Sequence, residues 1–177
     1  MVTKRNPDAK QYIFKRFAPL DLAYLAGIID GEGCFHMCVL SKNPNDGYIN
    51  PHYRGVLKVS NTDETLIIWL KETFAGTESA CTRATSSKKF ERMVFDWIVT
   101  GFRLLDLCEQ VLPYLIIKKK HCENMIKFKN TYPRVKTGRG KKILTKDILD
   151  LRQNCLIESR KLNSRFHLHP LKTTAKD

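Results

Sequence analysis

Twice along this chain a helical hydrophobic period gives way to two segments of strict alternation, and that repeated switch narrows the possible folds more than anything else in the sequence. From Pro19 to about Ile29 the apolar residues Leu20, Leu22, Ala23, Leu25, Ala26, Ile28 and Ile29 cover most of a helix, with Pro19 suited to its first turn. Hydrophobicity on nearly every side of that helix predicts burial nearly all round. "CFHMCVL" (34 to 40) and "YRGVLKVS" (53 to 60) then alternate. Phe35, Met37, Val39, Leu57 and Val59 fall on one face, with His36, Cys38, Arg54 and Lys58 on the other, so the pair reads as a hairpin joined by a long polar loop.

The pattern repeats. "TDETLIIWLKETFAG" has acids in its first turn, apolar residues at 66, 67, 70 and 74, and Gly76 as a stop, all of which predict a helix. Alternation returns at 80 to 86 and 90 to 99, with Met93, Phe95, Trp97 and Val99 on one face and Arg92, Val94 and Asp96 on the other. Helices follow on either side of Pro113, and a last one runs from about Thr145, as N-cap, to Leu162. The order α-β-β-α-β-β-α-α-α predicts an α+β fold, a four-stranded antiparallel sheet with helices on one face and a polar, basic opposite face. The length of 177 residues suits a single domain, with a core at about 18 to 162, a basic N-terminal arm at 1 to 17 and a loose tail at 163 to 177.

Charge points to the partner. Thirty-one Lys and Arg stand against 18 Asp and Glu, a formal net charge of +13, and the resulting field attracts polyanions, with nucleic acid ahead of anionic membrane. A β-ribbon fits the major groove of DNA, so the outward positions His36, Cys38, Lys42, Arg54, Lys58, Arg83, Thr85 and Arg92 are the expected DNA-binding set. No apolar run reaches the roughly 18 residues of a membrane span, so a soluble protein is expected. The N-terminal segment carries neither an apolar signal region nor an evident transit pattern. Six cysteines, at 34, 38, 81, 108, 122 and 155, lie within apolar or strand-like segments and are expected as reduced thiols. Cys34, His36 and Cys38 share a strand face, but ligands two apart on an extended strand splay and no partner pair has zinc spacing.

The end of the first helix carries the chemistry. Ala23 and Gly27 are four apart, with Ala26 beside them, and small residues at that spacing let two backbones approach closely, whether against the chain's own sheet or a second copy of the helix. Asp30 and Glu32 follow, separated by Gly31. A carboxylate at a helix C-terminus opposes the dipole, and a divalent ion such as Mg²⁺, held by one or two carboxylates with phosphate and water, would relieve that conflict. Pairing two helices across a two-fold axis would bring two Glu32 side chains together.

The stretch from Leu25 to Gly33, "LAGIIDGEG", closely resembles the nine-residue motif of the LAGLIDADG homing endonucleases, and the element order from about 18 to 131 is similar to that family's core. A single copy of the motif implies a homodimer, with Ala23, Ala26, Gly27 and Asp30 at the helix interface. The resemblance further implies a site-specific nuclease that makes double-strand breaks in a long, pseudo-palindromic DNA target, with Mg²⁺ as its cofactor and no small-molecule cofactor. It places Glu32 as metal-binding carboxylate, the Gly31 carbonyl at the metal, Asn61 as the residue orienting solvent, and Lys118 as the basic residue near the cleaved phosphate. Lys119 and Lys120 leave that last register open by a residue or two, and Thr65 stands where close relatives have a second basic residue. By the same resemblance the gene is expected in an intron of a chloroplast or mitochondrion. An RNA-splicing maturase, or a DNA-binding protein of this fold that does not cut, is the alternative.

Overall fold

The computed structural model describes residues 15–40, 51–84, 91–131 and 144–164. Its elements follow the expected order: α1 (Pro19–Glu32), β1 (Gly33–Leu40), β2 (His52–Asn61), α2 (Glu64–Phe74), β3 (Thr77–Ala84), β4 (Glu91–Thr100), α3 (Gly101–Val111), a 3-10 turn (Leu112–Tyr114), α4 (Lys119–Lys129) and α5 (Lys146–Asn163). The four strands form one antiparallel sheet in the order β1-β2-β4-β3. No helix is long and apolar enough to cross a membrane among the described residues.

Alternation in the strands separates the two faces of the sheet. Phe35, Met37, Tyr53, Leu57, Val59, Trp97 and Val99 are buried under the helices, while His36, Cys38, Arg54 and Lys58 lie at the alternate positions. Met93, which shares the inner face by register, is nonetheless 49% exposed. Where α2 turns into β3, Ala75 has a positive φ of 58° and its carbonyl accepts the Trp97 indole N–H at 2.6 Å. The next residue must be glycine. Gly76 has φ 115°, and a Cβ there would meet the Ile98 carbonyl oxygen and Trp97 Nε1 at 2.8 Å.

Helix α1 departs from the expected all-round burial. Leu22, Leu25, Ala26 and Ile29 form its buried face, whereas Leu20 is 84% and Tyr24 59% exposed, and Ala23, Gly27 and Gly31 are exposed as well. An apolar helix with one bare stripe has room for a partner on that side. The helix also runs on through Gly31 to Glu32. Gly33 ends it with an ordinary φ of −72°, and its lack of a side chain matters sterically, since a Cβ would lie 2.8 Å from the Ile29 Cα and O.

Helix α5 covers the sheet edge at β1. Ser159 Oγ accepts the Met37 N–H at 3.1 Å, and Asn163 Nδ2 donates to the Phe35 carbonyl at 2.8 Å. Edge groups that would otherwise invite another strand are thereby satisfied. Thr145 does occupy the N-cap position of α5, but its hydroxyl makes no capping bond.

Candidate active site and nucleic-acid interface

The two acids of the first helix go separate ways. The Asp30 carboxylate accepts the backbone N–H groups of Ile116 (2.8 Å), Ile117 (3.2 Å) and Lys118 (2.8 Å). These N–H groups lead into α4, so an acid misplaced against the dipole of α1 sits correctly at the positive end of another helix. In return the Lys118 ammonium donates to the carbonyls of Ile29 (2.6 Å) and Asp30 (3.0 Å), the negative end of α1. Burial pushes the Asp30 carboxyl up, yet the N–H groups of Ile116, Lys118 and Ile117 and the Lys118 charge prevail and hold it below its ordinary value. Burial lowers the Lys118 ammonium despite the opposing pull of Asp30 and Cys34. Of the three consecutive lysines, Lys118 is the one fixed at the motif helix, while Lys119 and Lys120 are exposed on α4. Asp30, expected at an interface between subunits, is therefore committed to a clamp within its own chain.

Glu32 is the last helical residue and is exposed. Asn61, at the end of β2, donates from Nδ2 to Glu32 Oε2 at 2.6 Å. Its other amide atom, Oδ1, accepts the Asp63 N–H at 2.8 Å, and Asp63 caps α2 by accepting the Thr65 N–H at 2.9 Å. The start of α2 thus fixes Asn61, and Asn61 fixes one oxygen of Glu32. Beside them lies an open groove of about 370 Å³ lined by Ala23, Tyr24, Gly27, Ile28, Gly31, Glu32 and Leu66. Among the described residues no three His, Cys, Asp or Glu side chains converge as a metal site. The donors at hand are a carboxylate, a carboxamide and backbone carbonyls, hard oxygen ligands that suit Mg²⁺ or Ca²⁺ when phosphate, water or a second copy completes the shell.

Of the residues expected at the helix pairing, Ala23 and Gly27 lie on the bare stripe, joined there by Gly31 at the same spacing of four. A Cβ at Gly27 or Gly31 would meet nothing within 4 Å in the chain itself. Ala26 is a correction. It is 1% exposed and packs in its own core, because the helical period places it with Leu22, Leu25 and Ile29.

The outward sheet face assembles much of the predicted DNA-binding set. Arg54 and Arg92 are exposed, and His36, Cys38 and Lys58 are half-buried. The backbone of Arg83 pairs with that of Arg92. Lys42 and Thr85 lie outside the described residues. Burial lowers the pKa of His36, with further lowering by Lys58 and Arg54, so the imidazole is neutral near pH 7 and can both donate and accept. Cys34, His36 and Cys38 do not converge on a metal. Asp96, placed on this face by the sequence but not among the expected site residues, is 4% exposed, and its carboxylate binds Lys58 Nζ at 2.5 Å and accepts the Ser60 hydroxyl at 2.6 Å. The signal was its alternation with Val94 and Arg92.

No family model and no curated protein matches the sequence. Among solved structures the chain is similar to the homing endonuclease I-CvuI, in complex with its target in the presence of Ca, with a TM-score of 0.59 and 19% identity over 82% of this chain and 83% of that one. It is similar to the archaeal intron-encoded homing endonuclease I-Vdi141I complexed with DNA, with a TM-score of 0.60 and 15% identity over 82% and 86% of the two chains. The I-LtrWI LAGLIDADG homing endonuclease bound to target DNA gives a TM-score of 0.51 at 20% identity, covering 81% of this chain but 45% of that one. Four antiparallel strands under a motif helix that ends on Glu32, together with these likenesses, give this chain the fold of the LAGLIDADG homing endonucleases.

Proposed function

We propose that two copies of this chain form a homing endonuclease that binds a long, pseudo-palindromic DNA duplex across both sheets and hydrolyses one phosphodiester in each strand with Mg²⁺. The observation that carries this reading is the Glu32–Asn61 bond at the end of a helix whose outward stripe is bare. Pairing α1 through Ala23, Gly27 and Gly31 would cover that stripe and bring one Glu32 from each subunit to the two-fold axis. Two sheets side by side would present their basic faces to one duplex, in keeping with the net charge of +13.

Glu32 and the Gly31 carbonyl are the groups that would hold the metal. Bound there, a divalent ion would supply an activated water and neutralise charge on the scissile phosphate. The protein's own residues do the positioning. Asn61 holds one Glu32 oxygen in a fixed direction, so the carboxylate needs little reorganisation on binding. Lys118, anchored by two carbonyls of α1, keeps a third ammonium donor for charge that builds on phosphate oxygens. Thr65 has no charge to offer where a second basic residue was expected, which leaves the solvent network to Asn61 and Lys118. A chloroplast or mitochondrial intron as the source of the gene rests on the motif resemblance alone.

The test is Glu32→Gln. The substitution should abolish cleavage in Mg²⁺ while sequence-specific binding persists, because the residue lies at the helix end and not on the reading face. Cleavage retained in Mg²⁺ would refute the proposed mechanism.

A further inference from the structure

A face that approaches a polyanion carries a buried carboxylate at its centre. Asp96 lies on β4 and is opposed in register by Ser60 on β2, and these are the two inner strands of the sheet. Ser60 Oγ donates to Asp96 Oδ1 at 2.6 Å and Lys58 Nζ lies 2.5 Å from Oδ2. At 4% exposure the carboxylate cannot itself reach a ligand, whereas the Lys58 side chain keeps 29% of its surface. Asp96 already occupies the Lys58 ammonium, so Lys58 does not act as a free cation that any phosphate could capture. Its ammonium has three donors, one of them committed to Asp96, and the remaining two point from a held position instead of a mobile tether.

We propose that Asp96 is a specificity-determining positioning residue. Resting on the reading of this sheet as a DNA face, it turns Lys58 from a phosphate contact into a reader of the guanine acceptors O6 and N7 in the major groove. Ser60 fixes the carboxylate that fixes the ammonium. A rigid donor matched to one base edge discriminates, where a free lysine on this face would add affinity without sequence information.

The experiment first selects a duplex from a randomised library by its binding to wild type in Ca²⁺, then measures binding by wild type, Asp96→Asn and the double variant Asp96→Asn/Lys58→Met to that duplex and to versions of it varied at each base pair. Asp96→Asn should lose about five- to hundredfold discrimination for guanine at one base pair of each half-site. Its affinity for unrelated DNA should rise, with the slope of log K against log salt steeper by about 0.9 per subunit, because the freed lysine now neutralises a phosphate. The double variant removes one charge of each sign and leaves no freed lysine, so it should keep the wild-type salt slope and still lack the guanine preference. An unchanged base profile and salt slope in Asp96→Asn would overturn the inference and leave the proposed function standing. So would a guanine preference retained by the double variant, the variant that decides the matter if Asp96→Asn fails to fold. Wild type without any sequence preference would overturn both.

Discussion

The Asp30 clamp invites the sharpest perturbation, Asp30→Asn, which keeps the shape of the side chain and removes its charge. The carboxylate accepts three backbone N–H groups, two at 2.8 Å and one at 3.2 Å. Hydrogen bonds to a charged group contribute about 1.5–3 kcal/mol each when desolvated, and partial exposure of Asp30 reduces the working figure to about 1 kcal/mol each. An asparagine retains one acceptor oxygen and turns an NH₂ toward the remaining donors, so the expected loss is about 2 kcal/mol. For a domain of this size that is a fall in Tm of about 4–8 °C. The pH dependence has a definite sign. The folded carboxyl is held below its ordinary value, so its stabilisation is complete above the unfolded value of about 3.9 and disappears as pH falls through the lower folded value. The assay is thermal unfolding of both proteins from pH 7 to pH 2.5 at one fixed concentration, since self-association shifts apparent stability. Equal Tm at pH 7, or a deficit that persists undiminished to the acid end, would refute the clamp as described. Because Lys118 N and Nζ share this junction, the same variant should also lower kcat more than it raises KM.

Gly27→Leu should leave the fold of a single chain intact, because a Cβ there meets nothing within 4 Å; light scattering at micromolar concentration should read a monomer, and a persisting dimer would contradict pairing through α1. Replacing Ser159 and Asn163 together by alanine should cost about 0.5–1.5 kcal/mol for each lost bond and speed amide exchange at Met37, whose N–H now bonds Ser159. Unchanged protection at Met37 would show that α5 does not guard the edge. Asn61→Ala, which frees Glu32 Oε2, should weaken metal binding about 10- to 100-fold in a direct titration, and an unaltered affinity would remove Asn61 from the site.

Elements with strong local periodicity were legible in the sequence, since a period of 2 or 3.6 is a property of neighbours. The boundaries were less so: β3 begins at Thr77, ahead of the expected residue 80, because pairing with β4 extends a segment that is not itself strongly alternating. Burial of α1 was overestimated because periodicity records which sides are apolar without saying which of them meets the chain's own core. Glu32, Asn61 and Lys118 were singled out through a motif and its expected surroundings, and the fold brings Asn61 onto Glu32 and Lys118 onto the end of α1. The clamp between Asp30 and Lys118, residues 88 apart, and the Asp96–Ser60 contact across strands depend on tertiary approach, to which spacing along the chain is blind. Ala26 illustrates the same limit in one residue: its size suited an interface, and the phase of the helix sent it to the core.

Two-fold pairing and metal-dependent cutting can be tested together in one selection. Duplexes of randomised sequence are incubated with the protein and Mg²⁺, and the cleaved molecules are recovered and sequenced. The expected outcome is a long consensus with approximate two-fold symmetry, cut once in each strand, and no recovered products with Glu32→Gln. A consensus without symmetry, or equal recovery from the Glu32→Gln protein, would contradict it.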